Sequence, residues 1–413
     1  MAWRCAGCVA YSTRPNRAAA GPLALPSRVR SVVSPTVIPM RNPSRLAPQA
    51  LRASALAALG LASSAGAESS TAWAQESQAV VAQTGQPRVM ATLAGSTLFV
   101  SPSSPARRQA KKWRRSRPDD AALMEHIAEQ PVATWLGEWS RDVRSAVRRT
   151  AAAARAASRV PVFVAYNVPH RDCGGHSAGG ARTARAYRAW IRKLAAGLAE
   201  APSVVVLEPD ALAGMDCLSP ERREERQALI RDAIGVLKAA GAIVYVDAGN
   251  AHWHPADTMA ARLTSAGIAE ADGFALNVSN FVATRVSIAY GDAIYALTGG
   301  KHYVIDTSRN GAGGTADAQW CNPTGQSLGD APTTQTGHAL ADAFLWIKVP
   351  GESDGRCNGG PRAGTWWDGY ALALARERQE LAVPPESITA LSLLEAALDR
   401  AIAAVLDQAL LTR

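Results

Sequence analysis

Six short apolar, β-branched runs, each closed by a polar or Gly/Pro-bearing turn, constrain this chain more than any other feature. They are VPVFVAYNVP (160–169), SVVVLEPD (203–210), AIVYVDAGN (242–250), GFALNVSN (273–280), HYVIDTSRN (302–310) and AFLWIKVP (343–350). Between them lie Ala/Leu/Arg stretches at helical period, such as TARAYRAWIRKLAAGLAE and ERREERQALIRDAIGVLKAAG. A strand that is apolar along nearly its whole length is buried on both faces, and intervening helices return the chain to begin the next strand in parallel. At least six such units predict an α/β fold with a mostly parallel buried sheet, closed as a barrel rather than left open. TLFV (97–100) and ATWLGEW (133–139) are candidates for further strands. No repeat of solenoid period occurs, and no long Pro/Thr/Ser linker marks a second domain.

In a parallel barrel the active site is built at the C-terminal ends of the strands. There this sequence places Tyr166, Asn167, Asp172, Glu208, Asp210, Asp247, Asn277, Asn280, Asp306, Arg309, Lys348, Glu352 and Asp354. One such Asp could be a helix cap, but carboxylates at the ends of five strands point to a functional cluster. Trp135, Trp253 and Trp320 are read as loop residues beside it, and about half of the eleven tryptophans are expected in the core. Aromatic faces stack on pyranose rings, and paired carboxylates cleave glycosidic bonds by acid–base chemistry. A carboxyl acting as proton donor must stay protonated far above the ~3.9 of a free Asp. Burial and a neighbouring carboxylate both raise it; the apolar run before Asp210 supplies the first and Asp172 is the candidate for the second.

The formal charge of +9 invites a nucleic-acid partner, but its distribution argues against one. Residues 1–67 hold eight Arg and no Lys, Asp or Glu, leaving 36 basic against 35 acidic side chains in the remainder. A mature protein near neutrality has no electrostatic case for polyanions. The one basic run within it, ARRQAKKWRRSRP (106–118), reads as a solvated surface segment. From Met40 the chain shows an Arg-bearing start, an Ala/Leu stretch and the small-x-small pattern of Ala65, Gly66 and Ala67, the layout of a secretory signal too short for a stable membrane anchor. The expected organisation is therefore a leader over 1–67 with the signal starting at Met40, a flexible lead-in over 68–92 and a catalytic domain over 93–413. Outside the leader stand Cys173, Cys217, Cys321 and Cys357. In an oxidising compartment four cysteines imply two disulfides, with three pairings open; no two have the CxxC spacing of a zinc site.

The segments YNVPHRDCGGHSAGG (166–180), VVVLEPDALAGMDC (204–217), YVDAGNAHWHP (245–255), NVSNF (277–281), VIDTSRNG (304–311), WCNPTGQSLG (320–329) and DAFLWIKVPGESDG (342–355) resemble glycoside hydrolase family 6, the endoglucanases and cellobiohydrolases of β-1,4-glucan. Seven motifs in order, from about 97 to 375, carry the resemblance. It implies a distorted (β/α) barrel, hydrolysis with inversion, and no metal or organic cofactor; the signal-like leader adds secretion. By the same resemblance Asp210 is the general acid, Asp172 the carboxylate that raises its pKa and helps organise the water, Asp354 a base or charge partner of the distorted sugar, and Asp247 a further active-site carboxylate. Tyr166 would press the sugar beside the scissile bond out of its chair. Trp135 and Trp320 would stack, and Lys348 and Glu352 make polar contacts, on the non-reducing side; Trp253 would stack on the leaving-group side. Asn280, in the NVSNF motif, is a further substrate-binding candidate, and Ser177 a candidate member of a water chain that could replace a discrete base. The resemblance pairs Cys173 with Cys217 and Cys321 with Cys357, each bridge contributing ~3–4 kcal/mol by loop closure.

Asn250 and Ala251 depart from the family, standing where a His-Ser-like pair is common. Only 35 residues lie between Cys321 and Cys357, which favours an open cleft and internal cutting over a roofed tunnel and exo action. The C-terminal tail from 381 reads as an amphipathic helix packed on the barrel. The expected partner is a β-1,4-glucan polysaccharide or oligosaccharide, with no nucleic acid and no stable membrane anchor, bound by a monomer. Two other readings are weaker: a metal hydrolase prompted by His252 and His254, and a catalytically dead glycan-binding protein.

Overall fold

Seven parallel strands lie side by side in the order in which the chain makes them: β1 Thr134–Leu136, β2 Val162–Ala165, β3 Val204–Leu207, β4 Ile243–Asp247, β5 Gly273–Leu276, β6 His302–Asp306 and β7 Ala341–Leu345. All six runs read from the sequence are strands, and ATWLGEW supplies the seventh. TLFV does not become one; Leu98 makes a single parallel bridge to Val160 below β2. The sheet curls until its two edges meet, where Val132 bridges Trp346 and the Ala133 N–H donates to the Trp346 carbonyl at 3.0 Å. The result is the expected distorted barrel. The structure, a computed structural model, describes residues 93–198 and 201–381, all within the unit Gln86–Arg413. The leader, the lead-in and the C-terminal tail beyond 381 lie outside the described residues.

Alternation along each strand divides the apolar residues between two cores. Val162, Val164, Val204, Val206, Ile243 and Tyr245 fill the barrel interior. Phe163, Val205, Leu207, Val244 and Phe274 face the surrounding helices. Those helices are α3 Val143–Ala156, α4 Ala184–Leu198, α5 Pro220–Ala239, α6 Ala256–Ser265 and α7 Thr284–Leu297, following α1 Pro105–Trp113 and α2 Pro118–Ala128 and preceding α8 Asp368–Leu381. Burial on both faces explains why the strands read as unbroken apolar runs. Among the described residues no helix is long and apolar enough to cross a membrane.

The basic run at 106–118 is more than a solvated segment. Ser104 caps α1 by accepting the Arg107 N–H at 3.1 Å, and Pro105 begins the helix. Ala106, Ala110 and Trp113 are buried in a third core with Met124, Ile127, Trp346 and Tyr370, which covers the seam between β1 and β7. The basic side chains decorate the other face. Arg114 pairs with Glu125 at 2.7 Å, and the Arg117 guanidinium lies 4.0 Å over the Trp113 ring.

Candidate active site

At the end of β3 the chain turns abruptly, with Glu208 at φ 52° and Asp210 at φ 65°. Left-handed backbone at two non-glycine residues costs energy and persists only where surrounding contacts enforce it. Here Asp247, at the end of β4, accepts the Asp210 N–H at 2.9 Å and the Gly249 N–H at 3.0 Å through the same Oδ1. Asp247 is buried and does not line the cleft; its contact with the site is the Asp210 N–H. Its Oδ2 is buried without a partner among the described residues. Burial and the charge of Asp210 push its pKa well above the ordinary carboxylate range, against the pull of the two N–H groups.

Asp210 opens into a cleft of about 470 Å³ whose walls carry Trp135, Tyr166, Asp172, Trp253, Asn280, Trp320, Lys348 and Asp354. Trp135 departs from its expected place: it belongs to β1, with its indole N–H donated to the Ile347 carbonyl at 2.8 Å. Trp253 and Trp320 do lie in loops and are 41% and 50% exposed, open for stacking. Glu352 faces elsewhere. It lines a second, larger cavity that shares Trp135, Tyr166, Ser177 and Lys348 with the first.

Asp210 and Asp354 in the cleft are shifted in opposite directions. Burial is the largest influence on Asp210, the charges of Asp172 and Asp354 add to it, and Lys348 opposes; together they push its pKa up to about 7. Asp354 is also buried, which alone would raise it. Instead Arg309 at 2.8 Å and Lys348 at 3.3 Å hold its carboxyl below the usual range, ionised at neutral pH. The Asn322 N–H at 3.1 Å completes the pairing. Tyr166 keeps its proton, its pKa raised by burial and by Asp210. A carboxyl shifted upward near one held ionised is a pair of the kind that acid–base chemistry uses.

The two disulfides join Cys173 to Cys217 and Cys321 to Cys357, the pairing the resemblance implies. The first links the Asp172 turn to the loop after Asp210. The second places Cys321 next to Asn322, whose Oδ1 accepts the Asp354 N–H at 2.8 Å. Asp172 sits at φ 55°, its Oδ2 accepting the Ser177 N–H at 2.6 Å. A Cβ at Gly175 would fall 2.7 Å from that oxygen, so only glycine lets the loop fold over the carboxylate.

Two strand-end carboxylates turn out to be fastenings. Asp306 is fully buried and accepts four backbone N–H groups: Ser308 and Ile347 through Oδ1, Ser279 and Lys348 through Oδ2. It ties together the loops after β5, β6 and β7. Glu208 accepts the N–H groups of Asn167 and Val168 and so fixes the turn after Tyr166; burial pushes its pKa up to about 7. Arg226, buried on α5, donates to the carbonyls of Pro169, His170 and Ala211. Sequence reasoning missed Arg226 and also Arg171, which donates to the Tyr166 carbonyl at 2.6 Å and to both oxygens of Glu138 at 2.7 and 2.9 Å. Arg171 adjoins Asp172 in the RDC motif, the one available signal.

Comparison with known proteins agrees with this geometry. Residues 93–378 match the model of the glycosyl hydrolases family 6. Endoglucanase 1 of Streptomyces halstedii is 44% identical over 264 residues, covering 61% of this chain and 80% of its own length. Endoglucanase A of Cellulomonas fimi is 43% identical over 284 residues, 68% of this chain but 61% of that protein, so the match spans less than two thirds of this relative. Among solved structures, the endoglucanase Cel6 of Mycobacterium tuberculosis, in complex with methyl-cellobiosyl-4-deoxy-4-thio-β-D-cellobioside, is 48% identical with a TM-score of 0.67, covering 70% of this chain and 99% of that one. The catalytic core of the cellobiohydrolase Cel6A of Chaetomium thermophilum is 26% identical with a TM-score of 0.61, covering 69% and 98%. A matching order of strands, motifs and fold over most of the chain leaves one assignment: this protein belongs to family 6 of the glycosyl hydrolases.

Proposed function

We propose that this protein is a secreted endo-β-1,4-glucanase that cleaves internal glucosidic bonds with inversion, with Asp210 as general acid. The observation that carries the reading is the raised pKa of Asp210 opposite an ion-paired Asp354 in a tryptophan-flanked cleft. Asp210 protonates the departing glycosidic oxygen. Asp172 raises the acid's pKa and, with Ser177, organises the water that attacks from the other face. Asp354, already claimed by Arg309 and Lys348, is a poor proton acceptor and serves as charge partner of the oxocarbenium-like sugar. Tyr166, held by Arg171 and Glu208 through its own and the following backbone, crowds the sugar beside the scissile bond. Trp135 and Lys348 bind the non-reducing side, joined by Trp320, and Trp253 the leaving-group side. The endoglucanase names of the relatives at 43–44% identity and the short span between Cys321 and Cys357 support internal cutting. Two disulfides support an oxidising, extracellular destination.

Product analysis tests the reading. NMR of cellopentaose digests should show the α-anomer first, and carboxymethylcellulose should lose viscosity well ahead of the rise in reducing ends. An initial β-anomer would refute inversion; slow viscosity loss with cellobiose as nearly the sole product would refute internal cutting.

The acid's pKa gives a second test with a definite sign. A general acid works only while protonated, so kcat should fall as pH rises through about 7. Removing the neighbouring charge in Asp172→Asn makes Asp210 easier to ionise. The alkaline limb of the profile should then move to lower pH, by about one unit. An unmoved limb would dissociate Asp172 from the acid.

A further inference from the structure

The second cavity, about 910 Å³, begins where the first ends and shares Trp135, Tyr166, Ser177 and Lys348 with it. Along it stands Trp139, which no motif singles out. The residue is 52% exposed, among the most exposed large apolar residues described. The ring is nevertheless fixed in place. It lies so close over Gly137 that a Cβ there would come within 2.4–2.8 Å of three ring atoms. The Tyr166 ring meets it at 61° with centroids 6.5 Å apart, and the Arg171 guanidinium lies 5.3 Å away, itself clamped by Glu138. An aromatic side chain held by its neighbours yet half exposed along a cavity has the features of a stacking residue. Around it the cavity carries the groups that hydrogen-bond to sugar hydroxyls: Glu352, Arg356, Arg362 and Ser104.

We propose that Trp139 is the stacking wall of an additional subsite, in which the second cavity holds glucosyl units beyond those seated at Trp135, on the non-reducing side. The inference rests on the glucanase reading for its ligand, and on the shape and chemistry of the cavity for its place. The chain that enters there is longer than the unit that reacts, so Trp139 adds binding energy only to long substrates.

The test compares cellotetraose with cellohexaose in wild type, Trp139→Ala and Trp139→Phe, by kcat/KM and by dissociation constants of the same forms in an Asp210→Asn background. Trp139→Ala should lose about tenfold on cellohexaose, the size of one stacking contact, and nothing on cellotetraose; Trp139→Phe should recover most of the loss. The loss should appear equally in the dissociation constants. An equal loss on both lengths, as would follow from a disturbed Tyr166, or no loss on either, would overturn the subsite while leaving the hydrolase reading intact. Length-dependent binding through Trp139 without hydrolysis by wild type would do the reverse: the subsite stands and the glucanase reading falls.

Discussion

Asp210→Asn should lower kcat on cellohexaose by about 10²–10⁴-fold, the usual contribution of a positioned proton donor, while the dissociation constant stays within about twofold of wild type. The amide keeps the size of the side chain and removes only the proton. It also removes a group whose charge is disfavoured by burial and by two neighbouring carboxylates, so the melting temperature should hold or rise. An aryl glucoside with a strongly acidic leaving group needs no protonation and should lose far less rate. A drop of only a few-fold on cellohexaose, or an equal drop on the activated substrate, would remove Asp210 from the role of acid.

Asp306→Ala should have the largest effect on stability. It strands four buried N–H groups at once, those of Ser279, Ser308, Ile347 and Lys348. Each unpaired buried donor costs about 1–3 kcal/mol, and local relaxation recovers part of the total. We expect a loss of about 3–5 kcal/mol in urea unfolding. Asp306→Asn should be nearly as severe, because its amide nitrogen would meet N–H groups where an acceptor is required. Since one of the stranded groups belongs to Lys348, whatever protein folds should also bind substrate poorly. A loss under about 1 kcal/mol would mean that the three loops are held in place by other contacts.

Why Asp306 could not be told from Asp210 in the sequence is instructive. Both end an apolar strand, and both sit in a turn rich in small or polar residues. What separates them is the company each meets after folding: four inward-pointing N–H groups for one, two carboxylates and open space for the other. Those neighbours come from different strands and leave no local trace. The six long strands could be read because a sheet covered on both sides demands uninterrupted apolar residues, a purely local signature. TLFV carries the same signature yet pairs only through Leu98, since it passes below the sheet instead of joining it. Trp135 reads as a loop residue although ATWLGEW is a candidate strand, because a strand of three residues does not show from sequence which of the seven positions it occupies. Arg171 and Arg226 escaped notice for a further reason: buried arginines look like surface ones until their carbonyl and carboxylate partners are known.

The indole of Trp135 carries one polar group, and the seam between β1 and β7 already occupies it: the N–H is given to the Ile347 carbonyl. What remains for a ligand is a bare hydrocarbon face. Such a face reads the flatness of a pyranose ring, which an axial hydroxyl on the stacked side would spoil, but it forms no directional hydrogen bond to any one hydroxyl. Hydrogen-bonded recognition of single hydroxyls at that position therefore passes to the neighbours that can donate and accept, Lys348 and Glu352. Epimer tolerance should accordingly be altered by substituting those two, and not by exchanging Trp135 for another flat aromatic ring.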